Sequence, residues 1–414
     1  MKKLLRQFFD NLEPKARKNK YLYTTFQAFH TFLFVPNHVT RNGSHIRDGM
    51  DIKRLMVHVV IAMQLALLFG MYNIGHWHYA AYGEYTGLAE GIIPKFLFGF
   101  FQLLPVIIVA HVVGLGIEFF FAARRGGEVE EGFLVTGMLI PLIMPPDLPL
   151  WMTAVATAFA VILAKEAFGG TGQNILNVAL AARVFVFFAY PTFMSGDTCW
   201  ITWDTNILHR LFGLGAKVAE YGPDSGAVVQ GFSGATPLGL AASGLQNGEQ
   251  TLKGLEAITH QFSWWDMFFG FIPGSVGETS AFLIILGALF LLVTRIASWR
   301  IMLSMFVGAV FMGLVFNFMG LNPFLQVPWY YQLVMGSFFF AMAFMATDPV
   351  TASHTNEGKL IYGFMIGVMG MIIRVLNPAY PEGWMLAILL MNVFAPTFDH
   401  IFIQKNIKKR LARG

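Results

Sequence analysis

The chain has 414 residues, of which 56% are hydrophobic and 13% are charged, and its formal net charge is +4. A soluble domain has about a quarter of its residues charged, so this composition excludes an ordinary soluble protein and indicates an integral membrane protein. The single cysteine, Cys199, excludes an internal disulfide and cannot by itself hold an iron–sulfur cluster or a structural zinc ion. No basic and aromatic module typical of nucleic-acid binding is visible, and we expect no nucleic-acid partner.

Apolar segments follow one another along most of the chain after a polar, basic start that does not resemble a cleavable signal peptide. Backbone in hydrocarbon must satisfy its own hydrogen bonds, so spanning segments of this kind are helices. We therefore predict an all-α polytopic membrane protein with about ten transmembrane helices, some of them broken. The predicted spans are, in chain order, 55–75, 97–121, 133–145, 149–165, 174–191, 279–296, 300–320, 329–346, 360–376 and 384–402.

These spans divide the chain into five regions. They are an N-terminal arm (1–54), a first membrane half (55–191), a loop region (192–278), a second membrane half (279–403) and a tail (404–414). A faint likeness between Pro149-Leu150-Trp151 and Val327-Pro328-Trp329 suggests that the halves are two five-helix repeats. Because these two segments run in the same direction in the predicted topology, they do not establish an inverted repeat.

The basic residues indicate the orientation. Sixteen of the 28 Lys and Arg residues lie in 1–54 and 402–414, and basic flanks of this kind remain on the cytoplasmic side. Both termini are therefore predicted to be cytoplasmic, which requires an even number of spans. With five spans before it, the loop region 192–278 is expected on the outer face.

The loop region contains the motif Ser233-Gly234-Ala235-Thr236. A threonine hydroxyl can form a phosphoester with the phosphate of FMN, and small neighbours leave room for a modifying enzyme. The motif is typical of a covalent flavin attachment site at Thr236, although the same residues also occur in ordinary turns.

Two glycine-rich segments precede predicted spans, Phe168–Asn174 and Ile272–Ser280. Free backbone at a helix start attracts anionic groups, and a helix cap with a flexible lead-in is the alternative interpretation. His76-Trp77-His78 could bind a metal, yet aromatic and amphipathic residues also belong at the end of a membrane span. We favour the interfacial interpretation and predict no metal site.

Seven ordered blocks together resemble the B subunits of the sodium-translocating NADH:quinone oxidoreductases, which are bacterial respiratory pumps. The related D subunit of the ferredoxin:NAD oxidoreductase (Rnf) complex shares the membrane core and the flavin motif, but the long arm favours the quinone-reducing pump. The blocks are Val39–Asp48, Lys165–Gly172, Phe187–Pro191, Gly231–Thr236, Ile272–Thr279, Met345–Val350 and Arg374–Gly383.

The resemblance implies two flavin cofactors. FMN would be esterified to Thr236 by an FAD:protein FMN transferase, and riboflavin would bind noncovalently at Asn174 and Asn177. Asparagine amides donate and accept hydrogen bonds, which suits the mixed edge of an isoalloxazine ring. The alternative makes Asn174 a helix cap and Asn177 a packing residue. Val178 and Gln230 depart from the family pattern, in which proline and an acid are expected.

The resemblance also implies a quinone site and a sodium path. The quinone site would lie at Gly114, Leu115 and Glu118, where Leu115 replaces a family glycine, although glycine is also the usual residue at a helix crossing. The sodium path would include Glu118, Asp348 and Asp399, since sodium prefers oxygen ligands.

Two further acids are weaker candidates for the sodium path. They are Glu166 and Asp147. Each acid could instead be an interfacial cap or a salt-bridge residue, and for Glu166 beside Lys165 we favour the salt bridge.

The function that the resemblance implies is that of a flavin-bearing component of a pump in the bacterial inner membrane, with Thr236 on the periplasmic side. Electrons from NADH, oxidised in another component of the complex, would pass through FMN and riboflavin to ubiquinone, coupled to sodium export. The partners would be the A, C, D, E and F subunits and membrane lipid. The alternatives are the Rnf component and a channel or transporter without redox chemistry.

Overall fold

The computed structural model describes most of the chain. The described residues are 2–34, 43, 52–126, 132–203, 211, 229, 232–247, 250–377 and 382–413. Gln230 and, apart from Gly43, the block Val39–Asp48 lie outside them.

The described residues are predominantly helical, which confirms the predicted all-α class. The only strands among them are β1 (Leu245–Asn247) and β2 (Gln250–Leu252), a short antiparallel hairpin in which Leu245 faces Leu252. The helices are α1 (Lys2–Ala16), α2 (Lys20–Leu33), α3 (Ile52–Ala81), α4 (Ile92–Arg125), α5 (Phe133–Ile143), α6 (Leu150–Phe159), α7 (Val178–Ala189), α8 (Pro237–Ser243), α9 (Leu255–Gln261), α10 (Trp264–Phe269), α11 (Ala281–Val293), α12 (Trp299–Met319), α13 (Trp329–Val334), α14 (Phe338–Phe340), α15 (Asn356–Leu376) and α16 (Trp384–Leu411).

Helical segments occupy all ten predicted spans, but they differ in length. Within the described residues, six are long and apolar enough to cross a membrane: Arg54–Ala81, Ile92–Arg125, Leu150–Phe168, Trp299–Met319, Asn356–Leu376 and Trp384–Leu411. Three are shorter, namely α5, α7 and α11, and the predicted span 329–346 is divided between α13 and α14. A polytopic membrane fold is thus supported, and the count of ten spans stays a prediction.

Two helices are interrupted at matching places in the two halves. α6 continues into a π-helical turn (Ala160–Lys165) and a 3-10 turn (Glu166–Phe168), and the helical segment ends there, since Gly169 has φ = 126° and Gly170 has φ = 104°. α14 likewise continues into a π-helical turn (Ala341–Met345), which leads to the loop 346–355. Helices are therefore broken, as predicted, and the two breaks lie next to the charged residues Lys165 and Asp348.

The two halves contact each other through helices that hold the same place in each half. The first long helix of one half, α3, packs against α11, the first helix of the other, and α7 packs against α16, the last helix of each half. A Cβ atom at Gly287 would lie 2.5 Å from the Ala62 carbonyl oxygen, so α3 and α11 approach closely. A two-fold relation between the halves would produce these pairs; the repeat and the five region boundaries stay predictions.

The loop region folds onto the second membrane half through its own apolar core. Leu238 and Leu240 of α8 and Ile258 of α9 are buried together with Val334 and Met335. This packing fixes the short helix α8, and thereby the residue that precedes it, against the membrane core.

The crossing of α12 and α15 depends on glycines. A Cβ atom at Gly308 would lie 2.3 Å from the Phe364 carbonyl oxygen, and one at Gly367 would lie 2.3 Å from that of Met305. Backbone contacts this close leave no room for a side chain.

We predict that Gly308→Ala destabilises the protein by about 1–3 kcal/mol, because the added methyl group overpacks this crossing. The measurement is the temperature at which half of the purified complex in detergent loses its size-exclusion peak, and a fall of several degrees is expected. Gly116→Ala is the control, since a Cβ at Gly116 meets no heavy atom within 4 Å. Equal stability of both variants would mean that the crossing is looser than described.

Candidate functional site

A cleft between the two membrane halves brings together several of the residues singled out in the sequence. It contains about 830 Å³ of empty space, counting the part that is open. Its polar lining includes Asn174, Asn177, Lys165 and Asp348, whereas Leu55, Met56, Val59, Leu139, Leu291 and Phe344 supply apolar walls. Apolar walls with a few polar groups are the usual character of a binding site for an organic molecule.

Asn177 joins the two halves inside this cleft. Its Oδ1 accepts a hydrogen bond from the Leu180 N–H at 3.1 Å, which caps α7, and its Nδ2 donates to Asp348 Oδ2 at 3.4 Å. Asn174 donates instead to the Leu176 carbonyl oxygen at 3.2 Å. The alternative that Asn174 is the cap is therefore wrong, because α7 begins at Val178, four residues later than the predicted span.

Asp348 is half-buried and held by its own loop. Its Oδ1 accepts from the Val350 N–H at 3.0 Å, and its Oδ2 accepts from the Thr351 hydroxyl at 3.1 Å. The carboxylate is thus fixed where it faces Asn177, on the wall of the cleft.

Lys165 and Glu118 form a buried ion pair next to the cleft. The Lys165 ammonium also lies 5.8 Å from the centre of the Phe133 ring. Sequence reasoning selected Glu118 but missed Lys165 as its partner and as a lining residue. A lysine at the end of an apolar span was the available signal, because a cation at that depth needs a counter-charge.

The predicted quinone residues lie on α4 beside this pair. A Cβ atom at Gly114 would lie 1.8 Å from Cζ of Phe133, so the space next to Gly114 is filled by that ring. Gly114 is therefore a helix-crossing glycine in this structure, while Leu115 is half-buried and packs against the main core. The quinone assignment itself stays a prediction.

The weaker acidic candidates lie elsewhere. Glu166 pairs with Arg125 at 2.9 Å, whereas its neighbour Lys165 pairs with Glu118. A salt bridge for Glu166 was expected, but Lys165 is not its partner, because consecutive residues of a helix point in different directions. Asp147 precedes α6, at the opposite end of that helix from Lys165.

Asp399 on α16 lies outside the cleft and is bound by the far end of the loop 346–355. Its Oδ1 accepts from the Ser353 hydroxyl at 2.6 Å, from the Thr355 hydroxyl at 2.6 Å and from the Thr355 N–H at 2.8 Å. Its Oδ2 accepts from the His354 N–H at 2.7 Å. One loop therefore connects the two acids Asp348 and Asp399.

Thr236 borders a second, smaller cavity between the loop region and the second membrane half. Its side chain is half-buried, and its Oγ1 accepts from the Gly239 N–H at 3.0 Å at the start of α8. The cavity is also lined by Ser275, Glu278, Gly336 and Glu382. The hydroxyl is thus held on the wall of a polar space.

The rest of the motif shapes the approach to Thr236. A Cβ atom at Gly234 would lie 2.2 Å from the Asp197 carbonyl oxygen, so only glycine fits. Ala235 is buried, and its N–H donates to the Ser233 hydroxyl at 3.2 Å. The small residues are required by the packing of this turn.

Arg183 on α7 pairs with both acids of the second cavity, so that one positive charge faces two carboxylates. Its Nη1 donates to both carboxylate oxygens of Glu278, at 2.8 and 2.9 Å, and its Nη2 contacts Ser275 at 3.3 Å and pairs with Glu382. Burial raises the pKa of the Glu278 carboxyl above its usual range, and the Arg183 guanidinium opposes that rise. Sequence reasoning missed this network, which joins three separate segments.

The histidines near the end of α3 make structural contacts. His76 stacks on Tyr72 with ring centres 6.0 Å apart, and His78 stacks on Phe98 at 3.8 Å while its Nδ1 contacts the Thr202 carbonyl oxygen at 2.7 Å. In the part of the chain that the structure describes, three or more His, Cys, Asp or Glu residues nowhere group to hold a metal ion.

Known proteins resemble this chain over nearly its whole length. A model of the NQR2, RnfD, RnfE family matches residues 39–408. The B subunit of the Na(+)-translocating NADH-quinone reductase of Chromohalobacter salexigens is 44% identical over 99% of this chain and 96% of its own. The proteins of the same name from Ectopseudomonas mendocina and Neisseria meningitidis serogroup A are 43% and 42% identical, each over 99% of both chains. With identities of this size over full length, the chain belongs to the NQR2, RnfD, RnfE family, among its Na(+)-translocating NADH-quinone reductase B subunits.

Proposed function

We propose that this chain is the flavin-bearing membrane component of a sodium-translocating NADH–quinone reductase. The observation that carries the proposal is the cleft, which is lined by residues of both halves. In it, Asn174, Asn177 and Asp348 lie beside the Lys165–Glu118 pair. Its relatives along the whole chain carry the name of this pump. NADH would be oxidised in another component of the complex, and the electrons would leave this chain to ubiquinone.

Thr236 is the residue that would hold FMN as a phosphoester. Its hydroxyl accepts a hydrogen bond and so keeps a fixed orientation on the cavity wall. Ser233, Gly234 and Ala235 leave little bulk around it. The cavity lining also carries the carboxylates of Glu278 and Glu382, whose negative charge the buried guanidinium of Arg183 offsets in part.

The cleft residues fit riboflavin, held noncovalently. Asn174 and Asn177 offer amide groups, and side chains such as Leu139 and Phe344 offer apolar packing surfaces. When bound, flavins supply one- and two-electron redox chemistry, so the task of the chain is to hold and orient them.

The acids Glu118, Asp348 and Asp399 would belong to the sodium path. Glu118 pairs with Lys165, and Asp348 accepts a hydrogen bond from Asn177; Lys165 and Asn177 both line the cleft. A cation near these carboxylates would therefore lie close to the proposed riboflavin site. Carboxylate and hydroxyl oxygens are suitable ligands for a hard cation.

The location, the orientation and the partners of the chain follow from the same proposal. The chain would lie in the bacterial inner membrane with both termini cytoplasmic and Thr236 periplasmic, since the basic residues concentrate at the termini. Its partners would be the A, C, D, E and F subunits, and an FAD:protein FMN transferase would modify Thr236.

We predict that Thr236→Val abolishes covalent flavin, because the variant keeps the shape of the side chain but lacks the hydroxyl. The measurement is yellow fluorescence of this chain on a denaturing gel, with the transferase co-expressed. Ser233→Ala is the matched control and should keep the band. A fluorescent Thr236→Val band would move the attachment elsewhere, and no band in any variant would favour a channel or transporter without redox chemistry.

We predict that Asn174→Leu lowers the noncovalent flavin of the purified complex at least about tenfold, the loss expected for one unsatisfied polar contact. Acid-extractable flavin per complex is the measurement, with covalent fluorescence at Thr236 as the assembly check. Asn322→Leu, in a loop outside the cleft, is the control. Unchanged extractable flavin would remove Asn174 from the site.

We predict that Lys165→Met and Glu118→Gln are each strongly destabilising, Lys165→Met by about 3–5 kcal/mol, because it leaves a buried carboxylate unpaired. The double variant should recover most of this loss, because neither charge then remains buried. The thermal stability of the complex is compared among the parent, the two single variants and the double variant, as a double-mutant cycle. Sodium-stimulated quinone reduction of the same four complexes gives a second cycle for function. Simple additivity of the two losses would contradict the pairing.

A further inference from the structure

The loop 166–173, which follows the π-helical turn of α6, is held by a side chain from α4. Arg125, the last residue of α4, donates from Nη1 to the Gly169 carbonyl oxygen at 2.8 Å and from Nη2 to the Glu166 carbonyl oxygen. Its Nη1 also pairs with the Glu166 carboxylate at 2.9 Å. The planar fork of an arginine can bind several oxygens at once, and here it binds two backbone carbonyls and one carboxylate.

The Arg125 guanidinium is itself fixed in place. It lies 5.7 Å from the centre of the Phe121 ring, one turn earlier on α4. A Cβ atom at Gly170 would lie 3.0 Å from Nη1 of Arg125, and Gly170 has φ = 104°, so the loop passes the guanidinium at a position that favours glycine. An ion pair with one exposed member contributes little by itself, and the Arg125 side chain is 41% exposed. The two backbone contacts are therefore the part that restrains the loop.

The restrained loop leads directly to the cleft. Thr171 and Asn174 line the cleft, and they follow Gly169 within five residues. Backbone bonds inside the loop, such as that from the Gln173 N–H to the Gly170 carbonyl oxygen at 3.3 Å, shape its turn without attaching it to another helix. The contacts of the arginine attach the same turn to α4, so they determine where the loop enters the cleft wall.

α4 makes ion pairs with two consecutive residues of the other segment. Glu118 pairs with Lys165, and Arg125, seven residues later, pairs with Glu166. Seven residues are close to two helical turns, so both side chains lie on one face of α4, about 10 Å apart along its axis. One pair therefore fixes the end of the π-helical turn, and the other fixes the loop beyond it.

We propose that Arg125 is a positioning residue for the cleft, which holds the loop 166–173 on α4 and thereby places Thr171 and Asn174 at the cleft wall. It acts through the backbone of this loop, since it is not one of the residues that line the cleft. This inference rests on the proposed function, in which the cleft holds a noncovalent flavin.

The test changes the fork and keeps the rest of the loop. Arg125→Ala removes all three contacts, Arg125→Lys keeps the charge but loses the fork, and Glu166→Gln removes the carboxylate while both carbonyl oxygens remain. Arg410→Ala is the matched control, because it removes an exposed basic residue near the end of another long helix, α16. Each variant is purified as the whole complex, and its thermal midpoint is measured by size exclusion.

The first measurement is amide hydrogen exchange of the loop, read by mass spectrometry on peptides that cover 166–173. Arg125→Ala should exchange about tenfold faster than the parent, and Glu166→Gln should stay within about threefold of it, because the backbone contacts remain. Arg125→Lys should fall between these two, and Arg410→Ala should exchange like the parent. Equal exchange in Arg125→Ala and the parent would overturn the proposal, and so would an effect of Glu166→Gln as large as that of Arg125→Ala.

The second measurement is the rate at which noncovalent flavin leaves the purified complex on dilution, followed by flavin fluorescence. Arg125→Ala should release the flavin about tenfold faster, while Arg410→Ala should keep the parent rate. A merely structural role would lower the thermal midpoint and leave the release rate unchanged, and that result would also overturn the proposal. A parent complex without noncovalent flavin would instead refute the proposed function, and the exchange rates would still decide whether Arg125 holds the loop.

Discussion

In the apolar interior of this protein, Lys165 and Arg183 each lie against a carboxylate, because a charge removed from water without a partner costs several kcal/mol. The two pairings tie distant parts of the chain together. Lys165 joins α6 to Glu118 on α4, and Arg183 joins α7 to Glu278 and Glu382 near the starts of α11 and α16. The short helices α7 and α11 are thus located by electrostatics as well as by packing.

One helix connects the two candidate flavin sites. Asn177 caps α7 at the cleft, and Arg183 lies six residues later in the network beside the Thr236 cavity. At 1.5 Å per residue, these two positions differ by about 9 Å along the helix axis. The close spacing supports the proposal that both sites serve one electron path, and a shift of α7 would affect both together.

The acids of the cleft illustrate how far sequence reasoning reached. The resemblance to the family selected Glu118, Asp348 and Asn177, and the structure places them in one region. Neither source indicated that Lys165 would choose Glu118 over its neighbour Glu166, since that choice depends on the direction of the side chain at the end of a π-helical turn. Similarly, the cap of α7 lies at Asn177, whose side chain accepts from the Leu180 N–H, and this contact is visible only in the structure.

The sequence by itself determined the membrane character, the all-α class and the family, because composition and residue motifs are local properties that survive without coordinates. It also selected Thr236, whose small neighbours are visible in the motif. Only the tertiary structure decided which charges are paired, that the Phe133 ring fills the space at Gly114, and that Asp399 accepts hydrogen bonds from the loop 346–355. Those outcomes depend on contacts between residues far apart in the chain, and their energies depend on burial, which no local pattern specifies.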